Sequence, residues 1–276
     1  MGSRYLLELP DVCAAAGLAV HLEAGWETRA RGSGGYASGA PNHVMVHHTA
    51  SSTSPANDVA YMCHGSDNAP IANLYLARDG AVTVMAAGAT NTNGTGDDPC
   101  EHLAPDTMNA NAIGIEAANA GTGEAWPAVQ QDAYVALVAA LCTAYAIPTG
   151  QIHAHVEYAP GRKIDPAGPA RWPPVNPSGS WNMDPFRGDV WLATFPPPGP
   201  EPEPEPRRLR VYQLLVDDDG AYWAHDSIHV RWLPTEWSRA HYANLLTLSG
   251  LDPAAMAVSR DAIDIGEFGP VVGRIP

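Results

Sequence analysis

Positive charge is what this chain has least of. Its 276 residues carry 15 Lys and Arg against 30 Asp and Glu, a formal net charge of -15. Nucleic-acid binding needs a basic face to displace condensed counterions, so nucleic acid is excluded as a partner. The same deficit argues against loose electrostatic adhesion to an anionic envelope. Lysine is nearly absent: Lys163 is the only one, and every other basic side chain apart from histidine is arginine. A compact ammonium and a planar guanidinium differ in size and hydration. A single lysine kept against that bias marks a position where arginine does not serve. Long apolar runs are also missing. No stretch approaches the roughly 20 residues of a membrane span, so no membrane insertion is expected. Glu8 and Asp11 interrupt the first apolar stretch, which makes a poor signal peptide; synthesis in the cytoplasm is the expectation. The four cysteines, Cys13, Cys63, Cys100 and Cys142, have no close metal-type spacing and are expected as buried free thiols.

What is present divides the chain. Phe195–Pro206, FPPPGPEPEPEP, can form neither helix nor central strand and favours an extended, self-repelling spacer. It separates residues 1–194 from a tail at 207–276. Hydrophobic residues make up 45%, enough for a real core. In the first part, Val44–His47 reads as a short buried strand. Ser54–His64 opens with a Ser N-cap followed by Pro and reads as a helix. Leu74–Met85 reads as a hairpin turning at Asp79-Gly80. Ala112–Glu116 alternates, with Ile113 and Ile115 on one side and Gly114 and Glu116 on the other. Pro127–Tyr145 reads as a long helix with Val129, Ala133, Leu137, Leu141 and Ala144 turned to the core. The expected fold is α/β, a mixed central sheet flanked by helices. The tail, with strand-like RLRVYQLLV and AYWAHDSIHVRWL around a DDDG turn and a helical SRAHYANLLTLSG, reads as a small α+β module.

Three segments end in polar residues that a core rejects unless they are paired. VMVHHTA places His47 and His48 at a strand end. AIGIEAANAGTGE does the same for Glu116. HAHVEYAPGRKIDPAGP supplies His153, His155, Lys163 and Asp165. Singly, each has an ordinary structural role. Together they offer two imidazoles and a carboxylate, enough for a catalytic zinc with an open fourth position. A spare carboxylate remains as general base and a lysine as electrostatic stabiliser.

VMVHHTA, GIEAANAGTGE and the His-x9-Asp stretch enclosing APGRKIDP resemble the zinc N-acetylmuramoyl-L-alanine amidases. That family includes bacterial amidases, peptidoglycan recognition proteins and many phage endolysins. HHTASSTSPANDVAYM, NLYLARDG and APGRKIDPAGP resemble amidase domains from phages of actinobacteria. The resemblance spans residues 20–190 and implies a peptidoglycan-amidase fold. It makes His47, His155 and Asp165 the Zn2+ ligands, where some relatives use cysteine for the third. It makes Glu116 the catalytic base and Lys163 the cation near the scissile carbonyl. His48 and His153 become structural neighbours. One departure is Asn73, which stands where relatives often carry a histidine and which cannot act as a base. The implied reaction cuts the amide between N-acetylmuramic acid and L-alanine in bacterial peptidoglycan, of an actinobacterial host, after release from the cytoplasm. The alternatives are a non-catalytic peptidoglycan-binding module and a zinc peptidase acting within the stem peptide.

His48, Asn73, Asn91, Asn93 and Asn119 are candidate substrate contacts, and Thr92 and Trp126 candidate groove walls. Trp172 and Trp181 are expected to pack over the domain edge. In the tail, Tyr212, Tyr222, Trp223, Trp232, Trp237 and Tyr242 serve either a small core or a glycan-binding surface. The modular layout favours a cell-wall-targeting module over an oligomerisation module.

Overall fold

A computed structural model of the chain describes residues 4–195, 213–216, 222–225, 230–233 and 256–257. The chain divides into two compact units, Met1–Phe195 and Pro196–Pro276.

The first unit is built on a mixed six-stranded sheet of β1 (Val20–Leu22), β2 (His43–His48), β3 (Leu74–Leu76), β4 (Val82–Val84), β5 (Ala112–Ala117) and β6 (Ile152–Ala154). Their spatial order is β1-β4-β3-β5-β2-β6. All neighbours run parallel except the β3–β4 hairpin. Helices flank the sheet: α1 (Leu9–Ala15), α2 (Pro55–Ala60), α3 (Ala128–Tyr145), α4 (His155–Tyr158) and α5 (Met183–Ala193). The mixed sheet flanked by helices is the architecture expected from the sequence.

Strand β2 is buried along its whole length because it lies between two parallel partners, β5 and β6, with both faces covered. Its alternation sorts two kinds of chemistry. Val44 and Val46 join Leu74, Leu76, Ile113 and Ile115 in the main apolar layer under α1, α3 and α5. His43, Met45 and His47 take the opposite face. Each buried aliphatic side chain contributes roughly 1.5–3 kcal/mol. A one-residue slip would push the histidines into the apolar layer, so the register is firmly set. His47 therefore stands directly across from Glu116 on β5.

Local signals act largely as read. The Ser54 Oγ accepts the Asn57 N–H at 3.3 Å, with Pro55 opening α2. The helix then widens into a π turn over Tyr61–Gly65. The β3–β4 connection turns at Asp79-Gly80, where Gly80 adopts φ +86° and the Asp79 Oδ1 accepts the Ala81 N–H at 3.1 Å.

The apolar face of α3 is rotated from the expected one. Val129 is 53% exposed and Ala144 is also exposed. Tyr134, Val138 and Cys142 enter the core beside Leu137 and Leu141. The reason is an aromatic cluster that α3 must meet. Trp181 packs against Trp126 and Trp172, each at 4.5 Å between ring centroids. Phe186 lies 4.9 Å from Trp172 and 5.6 Å from Tyr134. Trp126 thus belongs to the core, its Nε1–H donating to Ala167 O at 2.9 Å, and is not a groove wall. Trp172 and Trp181 are 2% and 1% exposed, packing as expected. All four cysteines are free, with Cys13, Cys63 and Cys142 buried.

In the second unit, β7 (Gln213–Val216), β8 (Tyr222–His225), β9 (Val230–Leu233) and β10 (Met256–Ala257) form a sheet in the order β10-β7-β8-β9. The β7–β8 and β8–β9 pairs are antiparallel and fall inside the two strand-like stretches. The expected DDDG turn, the helix SRAHYANLLTLSG and the Pro/Glu spacer after Phe195 lie outside the described residues. Among the described residues, no helix is long and apolar enough to cross a membrane.

Candidate metal centre

A strand end, a helix start and a loop deliver three ligand atoms to one point. His47 comes from the end of β2, His155 opens α4, and Asp165 lies in the loop that follows. The His47 Nδ1 is 2.9 Å from the His155 Nδ1 and 2.9 Å from the Asp165 Oδ2. The His155 Nδ1 is 3.1 Å from that same oxygen. All three residues are buried.

The backbone around them is pinned. The Tyr134 hydroxyl accepts the His47 N–H at 2.9 Å and donates to the His47 carbonyl at 3.0 Å, so α3 clamps the strand end. The Val156 N–H donates to Asp165 O at 3.0 Å, tying the third residue to the helix that carries the second. The Glu157 carboxylate accepts the Ala154 N–H at 2.9 Å and holds Arg187 at 2.6 Å, which fixes the start of α4.

Asn93 sets the tautomers. The His155 Nε2 lies 2.8 Å from Asn93 O, a pure acceptor, so Nε2 carries the proton and Nδ1 the lone pair. The His47 Nε2 faces Asn93 Oδ1 at 3.2 Å and is assigned the same way. The Nδ1 atoms of both rings and the Asp165 oxygen therefore point at one another. Burial first, then the neighbouring His155, pushes His47 down to about 4. Burial alone would raise the Asp165 carboxyl, but its contacts with His155 and His47 outweigh that and hold it well below the usual carboxylate range. A shared cation would satisfy all three atoms at once. Two imidazoles and one carboxylate, each ring oriented through its other nitrogen, form a donor set that a divalent metal ion would fit.

The centre borders a groove of about 640 Å³, with His47 itself fully buried. Glu116 and Lys163 line it together with His155 and Asp165. The Glu116 Oε2 is enclosed and has no protein hydrogen-bond partner. Burial first, then the Asp165 charge, pushes its carboxyl well up, while Lys163 opposes the shift. Tyr61, on the π turn, is 57% exposed at the groove wall.

The candidate substrate contacts divide. His48, Asn91 and Asn93 line the groove. The His48 Nδ1 accepts the Ala167 N–H at 3.1 Å, and burial lowers its pKa. Gly121 comes so close that a Cβ there would sit 2.4 Å from the His48 Nε2. The Asn93 side chain is turned to His47 and its backbone carbonyl to His155, so Asn93 acts as their positioning residue. Asn73 is a correction. It is fully buried, its Nδ2 donating to Ala86 O and Gly88 O at 2.9 and 2.8 Å and its Oδ1 accepting the Gly114 N–H at 3.0 Å. Those bonds knit β3 to β5 and leave nothing for a ligand. Asn119 is a second correction. It is fully buried, its Oδ1 accepting the Gly121 N–H at 2.9 Å; it shapes the groove loop from beneath.

Sequence reading did not single out Tyr134, Arg162 or Asn109 for the site. Arg162 donates to Asn93 O at 3.1 Å, and Asn109 Oδ1 accepts the Asn93 N–H at 2.7 Å. Arg162 lies inside APGRKIDP, so its neighbourhood was visible; Asn109 and Tyr134 carried no signal. A second buried group, His43, Asp98 and His153, was also unread as a cluster.

Residues 37–168 match the family described as N-acetylmuramoyl-L-alanine amidase. That span holds His47, Glu116, His155, Lys163 and Asp165. Among solved structures, the chain is similar to a selenomethionine derivative of AmpD at 20% identity, over 62% of this chain and 94% of that one, with a TM-score of 0.45. The amidase LysC from Clostridium intestinale URNW gives 16% identity, 62% and 96% coverage, and a TM-score of 0.42. AmiD from E. coli, in complex with the substrate anhydro-N-acetylmuramic acid-L-Ala-D-gamma-Glu-L-Lys, gives 17%, 55%, 78% and 0.40. No curated protein matches the chain.

Proposed function

We propose that this chain is a zinc-dependent N-acetylmuramoyl-L-alanine amidase that cuts peptidoglycan between the muramic lactyl group and L-alanine. The observation that carries the reading is the convergence of the His47 Nδ1, His155 Nδ1 and Asp165 Oδ2 within 2.9–3.1 Å, where His155 and Asp165 line a groove together with Glu116 and Lys163.

His47, His155 and Asp165 would hold zinc, which when bound supplies the Lewis acidity that acidifies water and polarises the scissile carbonyl. Glu116 accepts the proton of the attacking water and returns it to the departing L-alanine amine. Its enclosed, unpartnered oxygen is free for that exchange, and its raised pKa brings proton release closer to neutral conditions. Lys163 sets its ammonium against the negative charge that develops on the carbonyl oxygen. Asn93 keeps both ligand lone pairs aimed inward. Asn91 and His48 line the groove where sugar and peptide would lie.

The match over residues 37–168 supports the amidase class. Within that reading, residues 1–194 are the catalytic part and 195–206 a spacer. Residues 207–276 are a wall-targeting module, and the whole is an endolysin acting on an actinobacterial wall after release from the host cytoplasm. Mass spectrometry of fragments released from peptidoglycan tests the bond. The expected product carries a free amine on L-alanine and an intact lactyl carboxylate. Amines deeper in the stem would mean a peptidase, and wall binding without fragments a binding module.

A further inference from the structure

The second buried cluster lies on the same strand face as the first. His43 and His47 are four residues apart on β2, about 13 Å along the strand, with Met45 between them packed against Met108 and Tyr158. His153 on β6 pairs with Met45. Asp98 reaches in from the loop between Asn93 and Met108.

We propose that His43, Asp98 and His153 form a second metal site, structural in role and suited to a divalent ion of the zinc class. One ligand atom from each lies within 4.8 Å of the others. The His43 Nε2 is 3.6 Å from Asp98 Oδ2, and the His153 Nε2 is 3.3 Å from Asp98 Oδ1. Tetrahedral ligands at roughly 2.1 Å from zinc stand about 3.4 Å apart, so the spacing is near that of a site.

The hydrogen bonding points the same way. The His43 Nε2 and both ring nitrogens of His153 have no hydrogen-bond partner, in residues 0% and 1% exposed. Buried polar atoms left in that state are costly and uncommon. The His43 Nδ1 lies 2.7 Å from Asn42 Oδ1, so Nδ1 holds the proton and the Nε2 lone pair faces the carboxylate. Asp98 accepts N–H bonds from Cys100, His102 and Leu103 at 3.1, 2.8 and 3.0 Å. Two imidazoles and a carboxylate fixed by backbone N–H bonds suit zinc, cobalt and nickel alike.

The ion would fasten the Asp98 loop to β2 and to the edge strand β6. That loop begins at Asn93, which orients both histidines of the groove centre. The site would therefore hold the frame of the first centre without touching substrate.

The test is metal stoichiometry of the full chain, stripped with chelator and titrated with zinc, then with cobalt. The expected result is two equivalents for the wild type, one for Asp98→Asn, and one retained in His47→Ala. In His47→Ala, X-ray absorption of the remaining cobalt should report two imidazoles and a carboxylate oxygen. A wild type that binds a single equivalent, or an Asp98→Asn protein that binds as many as the wild type, overturns the proposal. The wild-type count decides even if a variant fails to fold. No readout depends on hydrolysis, so failure of the amidase reading would leave this result separate.

Discussion

The two buried clusters are built from the same parts, two histidines and an aspartate, and share strand β2. They differ in what surrounds them. The His47 group opens into a groove beside an unpartnered Glu116 oxygen and the only lysine of the sequence. The His43 group is buried throughout, shares its strand face with Met45, and has the His102 ring 6.5 Å from the His43 ring. Ligand chemistry alone therefore does not make an active site. What distinguishes one is access for substrate and a proton acceptor across the strand pair. The comparison can be broken or sharpened in steps.

The largest effect belongs to the open group. Asp165→Ala or His47→Ala should abolish measurable turnover, a loss at least as large as that of the base, while circular dichroism shows the fold retained. Next come the groove partners, with metal content unchanged. Glu116→Gln should cost about 10²–10⁴-fold in kcat. Lys163→Arg should cost about 10²–10³-fold, because a planar guanidinium misplaces the charge. If Lys163→Arg stays within about twofold of wild type, well below that range, the lysine leaves the mechanism. Asn93→Ala should weaken zinc binding by about 10–100-fold, as loss of a ring-orienting partner does, read by competition with a chelating dye.

The closed group should behave otherwise. In metal-free protein, Asp98→Asn should lower stability by about 1–3 kcal/mol through its three backbone N–H bonds. In thermal melts that is several degrees of Tm for a unit of this size, with turnover per folded molecule changed by less than about tenfold, the low end of ligand-support effects. The smallest effect is one of pH. The folded pKa of Glu116 lies above its unfolded value. Its contribution to stability is thus full below the unfolded pKa and lost as pH rises through the folded one. In chelator, Glu116→Gln should melt with wild type near pH 4, about the unfolded carboxylate value, and above it at alkaline pH.

The segments of the open group stood out in the sequence because polar residues end apolar stretches, and the resemblance to the amidases singled out His47, His155 and Asp165 among them. The closed group did not stand out. His43 begins the same strand, but Asp98 lies in a Gly- and Asp-rich loop that no periodicity ties to it. Asn73 and Asn119 were misplaced for a related reason. An asparagine that bonds backbone groups inside the core has the same letter as one that waits for a ligand. On α3, spacing alone put Val129 and Ala144 inward; the aromatic cluster around Trp181, distant in sequence, set the actual face.

The most direct measurement is turnover of a defined muropeptide by the full chain after chelator treatment and again after zinc is restored. The account predicts that hydrolysis stops without metal, returns with zinc, and fails to return in Asp165→Ala. Turnover that persists in the stripped protein, or that zinc restores equally in Asp165→Ala, would contradict it.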